Sequence, residues 1–316
     1  MKTFLFVFSS LFFLYSNTWS QSPTDVFKRK LAVELLDEDP KKIEKLKKEN
    51  NPDAIERYKC KIERYNTLLK WAIEKYWKLN KVIEFKTESE IKKIRKASDK
   101  KYVCLKFAEL RDPNSGLISI PVPGLEYGKP EKMIPEYQIA IAYGMARKNH
   151  CFNESDFAFT IQLLQRILEK SIKQNKFAPS LMKWGPDEGG KNCSKIKNRT
   201  LLIDREFMAK DITDDDVSKE FPYKFKITNS EELNTAYISG DSSVAVPFLI
   251  PYPSGVAYGY YRVLADPVTG NIMKFTMGLL NDEKIRKMEL NSFGNCNPSK
   301  DDGKNEKDTK GKKSKK

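Results

Sequence analysis

Histidine is almost absent from this chain of 316 residues, which contains only one, His150. A serine or cysteine nucleophile usually needs a nearby imidazole to accept its proton, and histidine-rich zinc sites need several imidazoles. A Ser-His-Asp or Cys-His enzyme would depend on this one residue, which lies beside Cys151 between two predicted helices. We interpret His150 as structural or solvent-facing, and we predict no metal site and no cofactor.

Cysteine is also scarce, and the spacing of the five cysteines is wide. The chain has no C-x-x-C pair, so neither a thioredoxin-type redox centre nor a zinc ribbon is supported. An odd number of cysteines leaves at least one unpaired in a monomer. Cys193 and Cys296 both lie in polar, loop-like surroundings, and we predict a disulfide between them.

Long apolar segments are missing. The longest apolar run, residues 4–15, is shorter than the roughly 20 residues that a membrane-spanning helix needs. This run follows Met1 and Lys2 and precedes the small residues Thr18 and Ser20, a pattern typical of a cleaved secretory signal peptide. We therefore predict a signal peptide at residues 1–20, a secreted or periplasmic location, and no transmembrane segment in the mature chain.

Charge is unbalanced towards lysine and arginine, with a formal net charge of +14. Residues 300–316 hold eight lysines against four acidic residues and no large apolar side chain. Such a segment cannot bury enough surface to fold, so we expect residues 297–316 to form a disordered tail. The tail either keeps the protein in solution or contacts an anionic surface or polymer.

The N-terminal part of the mature chain has the pattern of a helical section, which we place at residues 21–80. Apolar residues at steps of three and four predict one helix of about 28 residues that begins after Asn51 and Pro52. Residues 26–36 and 41–48 predict two shorter helices before it.

Two later segments, residues 81–120 and 223–273, follow the same plan of strand, helix, strand, turn and strand. Both turns read D-P-x-[ST]-G, at Asp112 to Gly116 and at Asp266 to Gly270. In such a turn the aspartate accepts hydrogen bonds from the turn amides and the glycine adopts the left-handed conformation. The similarity suggests a duplicated β-α-β-β unit, with an insertion at residues 247–259 in the second copy.

The predicted fold class is therefore α+β, with the N-terminal helical section packed on one or two small antiparallel sheets. The first unit, residues 81–178, includes helices at 135–149 and 155–175. Residues 179–199 are predicted to be a loop linker, and residues 200–296 form the second unit.

Two motifs that resemble chemical sites have simpler explanations. Residues 185–191 fit G-x-x-x-x-G-K, but Asn192 stands where a phosphate-binding loop needs a hydroxyl side chain, so we exclude nucleotide binding. The acidic run 214–216 follows Thr213, and carboxylates there favour the start of a helix.

The leading functional prediction is an exported, non-enzymatic binding or accessory protein. Its partner is another protein or a polyanion, and no specific nucleic-acid recognition is predicted. The alternative is a histidine-independent hydrolase that uses paired carboxylates, for which Glu109, Asp241 and Asp266 are the candidates. A deep cleft with two or more carboxylates would favour the enzyme, whereas a filled core with an exposed apolar or basic face would favour binding.

Overall fold

The computed structural model describes residue 24 and residues 27–109, 116–119, 138–140, 152–175, 181–254, 257–277 and 284–296. Helices and two small sheets make up this part of the chain, which confirms the α+β class. The predicted signal peptide, His150, Cys151 and the tail at 297–316 lie outside the described residues.

In the structure the first unit extends from β1 to α4, and its described residues form five strands and four helices. In chain order these are β1 (Lys30–Leu35), α1 (Pro40–Lys48), α2 (Pro52–Tyr76), β2 (Ile83–Thr87), α3 (Glu88–Lys96), β3 (Tyr102–Glu109), β4 (Gly116–Ser119), β5 (Gln138–Ala140) and α4 (Glu154–Gln174).

A connecting segment and a second five-stranded unit follow. They comprise α5 (Leu181–Asn192), a 3-10 helix (Cys193–Asn198), β6 (Thr200–Asp204), a 3-10 turn (Arg205–Phe207), α6 (Asp214–Glu220), β7 (Phe225–Thr228), α7 (Ser230–Ser239), β8 (Val244–Ser254), β9 (Ala257–Ala265), β10 (Ile272–Met277) and α8 (Lys287–Gly294).

Both sheets have the same strand order. The first runs β2-β1-β3-β4-β5 and the second β7-β6-β8-β9-β10. In each sheet the first three strands are parallel and the last two continue as an antiparallel meander. The sheets are thus mixed rather than antiparallel. Before β2, β3, β7 and β8 a helical crossover returns the chain to the end of the sheet where the preceding strand began, so these strands pair in parallel.

The repeated unit is longer than predicted, because each copy begins one strand earlier. Val33 in β1 lies opposite Phe85 in β2 and Leu105 in β3. Leu201 in β6 lies opposite Phe225 in β7, in the same place between two parallel neighbours. Phe85 and Phe225 are therefore equivalent positions in the two copies.

The helices occupy equivalent faces in the two copies. α2 and α4 cover one face of the first sheet and α3 packs on the other, while α6 and α8 cover the corresponding face of the second sheet and α7 packs opposite. This alternation follows from right-handed crossovers on either side of a central strand.

α4 is the layer that the two units share. It is buried nearly all round, as expected for a helix enclosed in a core rather than lying on a surface. The ring of Phe157 meets Tyr65 of α2 edge-on at 5.4 Å between centroids, whereas Phe159 stacks on Phe248 of β8 at 4.3 Å. The units consequently stack head to tail through one continuous core.

Three sequence-based assignments are wrong. Most of the predicted helix at 26–36 is the strand β1, because four successive residues are buried between sheet neighbours and no helical face exists there. The predicted loop at 179–199 contains α5 and a 3-10 helix, with Pro186 inside α5. Within the predicted helix at 135–149, Gln138–Ala140 forms β5.

The two D-P-x-[ST]-G turns are not equivalent. Gly116 is the first residue of β4, opposite Glu109 of β3, and residues 112–115 with Asp112 lie outside the described residues. The turn at Asp266 to Gly270 instead joins β9 to β10. Residues 247–259 are no insertion, since they form most of the β8–β9 hairpin, the counterpart of β3 and β4.

Gly270 is constrained both by its backbone and by its surroundings. Its φ is 63°, and an added Cβ would lie 2.5 Å from Gln162 Oε1 of α4. Gly240, at φ 69°, has nothing within 4 Å of the same position.

We expect Gly240→Ala to lower the free energy of unfolding by about 1 kcal/mol and Gly270→Ala by about 2 kcal/mol, measured by urea unfolding. Equal losses in the two variants would contradict the role of the Gln162 contact.

Candidate functional site

The amino ends of β1, β2 and β3 bring basic residues from three chain segments to one edge of the first sheet. The Lys30 amide donates to the Lys101 carbonyl and the Leu31 amide to the Val82 carbonyl, each at 2.9 Å, which fixes the segments side by side. We call the six basic residues of these segments the cationic edge: Lys28, Arg29, Lys30, Lys81, Lys100 and Lys101.

Most of the cationic edge faces solvent. Lys81, Lys100 and Lys101 are exposed, and none of the three forms a salt bridge within the described part of the chain. Val82, next to Lys81, is 44% exposed. α3 runs antiparallel to the strands, so its last turn adds Lys93, Arg95 and Lys96 at the same end. The excess of basic over acidic side chains creates a positive potential here, which attracts anions.

Beside the cationic edge, Glu84 of β2 forms the centre of a lysine–glutamate–tyrosine cluster. Lys30 Nζ and Lys86 Nζ each lie 2.9 Å from a different Glu84 carboxylate oxygen, and the Tyr102 hydroxyl donates to the carboxylate at 3.0 Å. The two ammonium groups also lie 5.8 and 5.6 Å from the Tyr102 ring centroid. One carboxylate therefore holds two lysines against one aromatic ring.

The charges of this cluster do not change near neutral pH. Hydrogen bonds from Lys30 and then from Lys86 lower the pKa of Glu84 to about 2. The same contacts with Glu84 raise the pKa of both lysines. Neither proton transfer by Glu84 nor nucleophilic attack by the lysines is favoured by these directions, so the cluster acts as a fixed arrangement of charges.

The Cys193 and Cys296 sulfur atoms are joined by a disulfide, with 5.4 Å between the Cα atoms. Cys193 precedes β6 and Cys296 follows α8, so the bond closes a covalent ring around the second unit. Cys104, by contrast, is buried on the first sheet, and burial raises the pKa of its thiol to about 12, which keeps it protonated.

Of the carboxylates proposed for a hydrolase, Asp241 and Asp266 are both engaged by local hydrogen bonds. Asp266 accepts hydrogen bonds from the Val268 amide at 3.1 Å and contacts Arg199 at 3.5 Å, so it is engaged by its own turn. Hydrogen bonds from Ser243 lower the pKa of Asp241, whereas a general acid needs a raised pKa. The side chain of Glu109 lies outside the described residues.

A buried carboxylate that the sequence gave no reason to select is Asp204, at the end of β6. Burial raises its pKa, one oxygen accepts a hydrogen bond from the Glu206 amide at 2.8 Å, and Oδ2 has no hydrogen-bond partner among the described residues. The residue is only 2% exposed, so a substrate cannot reach it. Its local role is to cap the 3-10 turn that follows β6.

Two glycines within the G-x-x-x-x-G-K segment, Gly185 and Gly189, serve packing. The motif lies within α5, where an added Cβ on Gly185 would meet the Phe275 ring at 2.4 Å, and one on Gly189 the Phe275 backbone nitrogen at 2.9 Å. These glycines let α5 lie directly against β10 and cover that edge of the second sheet.

No protein-family model, no curated protein and no solved structure matches this chain. In the part of the chain that the structure describes, no helix is long and apolar enough to cross a membrane. The same residues contain no group of three or more histidine, cysteine, aspartate or glutamate side chains arranged to hold a metal ion.

Proposed function

We propose that this chain is an exported, non-enzymatic binding protein whose cationic edge recognises a polyanion. The observation that carries the proposal is the convergence of three basic segments at one sheet edge, where the exposed Lys81, Lys100 and Lys101 form no salt bridge with the other described residues. Isolated lysines on a surface are common, but Lys81 before β2 and Lys100 and Lys101 before β3 flank the start of β1, about 10 Å apart at the usual strand spacing, and together give a concentrated field.

Export is supported by two independent features. The first 20 residues have the pattern of a signal peptide. The disulfide between Cys193 and Cys296 is of the kind that persists in oxidising compartments and is rare in reducing ones. Both features favour a secreted or periplasmic location.

A binding role is also supported by the chemistry around the edge. The contacts among Glu84, Lys30 and Lys86 stabilise the charged forms of all three, so the cluster keeps a net positive charge near neutral pH and attracts anions without exchanging protons. Asp241 and Asp266 lie in another part of the fold, near Arg199, and serve local hydrogen bonding.

The decisive experiment compares two triple variants with the same change in net charge. The edge variant is Lys81→Gln, Lys100→Gln and Lys101→Gln. The control is Lys41→Gln, Lys47→Gln and Lys48→Gln on α1, whose side chains are also exposed. In fluorescence titrations with a heparin oligosaccharide at low salt, we expect the edge variant to bind roughly tenfold more weakly and with a smaller salt dependence, and the control to change little. If both variants lost the same affinity, binding would depend only on the net charge of the protein, and this result would contradict the proposal.

The lysine-rich tail requires a separate deletion, because it carries positive charge of its own. Removing residues 301–316 should weaken heparin binding only at low salt, where the Debye length is about 10 Å at 0.1 M, and should leave the melting temperature unchanged. If this deletion abolished binding while the edge variant bound normally, the tail and not the cationic edge would be the binding element.

A further inference from the structure

We infer that β2 is an edge through which two copies of this chain pair as antiparallel strands. The inference goes beyond the proposed polyanion binding and does not depend on it. It rests on the place of β2 in the first sheet, on the direction of its backbone groups, and on the order of charged residues along it.

β2 is the outermost strand of the first sheet, and half of its backbone groups face away from that sheet. The Leu31 amide donates to the Val82 carbonyl at 2.9 Å, and the register places Leu31 opposite Ile83. In a parallel ladder with this pattern, the amides and carbonyls of Ile83 and Phe85 point away from β1. Such an edge can accept another extended strand through main-chain hydrogen bonds.

Thr87 is the next residue whose backbone faces outward, and its amide is already used. It donates to Glu90 Oε2 at 2.8 Å in the cap of α3, which leaves the Thr87 carbonyl to a second strand. If two β2 strands pair about a two-fold axis at Phe85, the Ile83 amide of each copy faces the partner's Thr87 carbonyl. The two Phe85 residues exchange a further pair of hydrogen bonds, so the outward amides of both strands are satisfied.

The charges along β2 favour this register over its neighbours. An axis at Phe85 places Glu84 opposite the partner's Lys86, twice in the dimer, and opposite charges at facing positions stabilise a strand pair. An axis at Glu84 or at Lys86 would instead place identical charges opposite each other. The pairing leaves the contacts of Glu84 and Lys86 within their own copy in place.

The residues that flank β2 are complementary in the same arrangement. Lys81 precedes the strand, and Glu88 follows it as the first residue of α3. Both side chains are exposed, and neither forms a salt bridge with another described residue. In the antiparallel pair, the basic start of each β2 lies beside the acidic start of the partner's α3, which brings Lys81 close to the partner's Glu88.

β7 is the corresponding edge strand of the second sheet, and it lacks this complementarity. The Leu201 amide donates to the Lys224 carbonyl, so the backbone groups of Phe225 also face outward. An axis at Phe225 would place Lys224 opposite the partner's Lys226, and like charges at facing positions destabilise a strand pair. We therefore expect pairing through β2 and not through β7.

Sedimentation equilibrium of the full chain without polyanion tests the inference. We expect wild type to form a dimer that dissociates on dilution from roughly 1 mM to 10 μM, because a single strand pair is a small interface. Lys81→Glu and Glu88→Lys should each weaken dimerisation roughly tenfold, and the double variant, which exchanges the two charges, should regain most of the affinity. Lys224→Glu on β7 is the matched control and should not weaken it.

The direction of the change excludes an effect of net charge. Lys81→Glu lowers the positive charge of the protein, so repulsion between copies decreases and association governed by net charge would become stronger. Three results would each overturn the inference: a wild type that is monomeric at every concentration, equal weakening by Lys81→Glu and Lys224→Glu, or no recovery in the double variant.

Removing one outward backbone donor gives a test that does not involve charge. Ile83→Pro lacks the amide hydrogen that faces the partner, whereas the hydrogen bonds to β1 remain, and proline is tolerated in edge strands. We expect this variant to lose dimerisation and Ile227→Pro, which removes an outward amide of β7, to keep it, with circular dichroism confirming that both are folded. A folded Ile83→Pro protein that dimerises like wild type would contradict pairing through β2.

Discussion

Replacing Cys193 and Cys296 together with serine is expected to lower the free energy of unfolding by about 2–5 kcal/mol. The bond joins residues 103 positions apart and so restricts the unfolded chain over the whole second unit. Urea unfolding followed by circular dichroism under non-reducing conditions measures the loss. Because the disulfide lies at both ends of one unit, that unit should be the one that unfolds earlier.

Reducing agent provides the control for this prediction. The wild-type protein in dithiothreitol should unfold like the double serine variant, whereas dithiothreitol should not change the variant itself. Coincident unfolding curves for the oxidised wild type and the variant would show that the disulfide contributes nothing to stability.

Gly189→Ala and Gly190→Ala should have opposite effects although the two residues are adjacent in α5. The added methyl group at Gly189 would lie 2.9 Å from the Phe275 backbone nitrogen, so α5 must move away from β10. At Gly190 nothing lies within 4 Å, and alanine is the better helix former. We expect a loss of about 1–3 kcal/mol for the first and a gain of up to about 1 kcal/mol for the second.

Thermal unfolding measured by calorimetry separates the two variants. A stabilised Gly189→Ala protein would mean that α5 does not lie against β10 in solution. A destabilised Gly190→Ala protein would mean that its position in α5 is not exposed.

The elements that the sequence predicted correctly are those with strong local signals. In α2 an apolar residue recurs at every third or fourth position. The helix follows the N-cap Asn51, whose side chain accepts a hydrogen bond from the Ala54 amide. Thr87 and Glu90 form the reciprocal capping hydrogen bonds at the start of α3. These interactions depend on neighbouring residues, so periodicity and capping rules find them.

The missed elements depend on distant partners. β1 has buried residues on both faces because α2 and α4 cover one face of its sheet and α3 covers the other, and nothing in its six residues distinguishes a central strand from a short helix. α5 contains glycines and a proline, which indicate a loop, but its close packing on β10 supplies the missing stabilisation. The sequence pattern predicts the duplicated unit only in part, because it lacks the first strand of each copy, β1 and β6.

The cationic edge could not be predicted from the sequence, because it too depends on residues that are distant in the chain. Short basic runs such as residues 28–30 and 100–101 are ordinary in a chain with 57 basic residues. These runs come together only because β2 and β3 pair in parallel with β1 on its two sides. The sequence pattern instead predicts a helix at β1. The cluster around Glu84 likewise joins Lys30 to residues more than 50 positions away.

The disulfide also determines how the protein would carry a mechanical load. A pull applied to the chain beyond Cys296 passes through the sulfur bridge to Cys193 and does not run along the backbone of β6 to α8. Tension from the lysine-rich end therefore reaches α5 and its contact with β10 directly. The second unit would stay folded under a force that extends the rest of the chain.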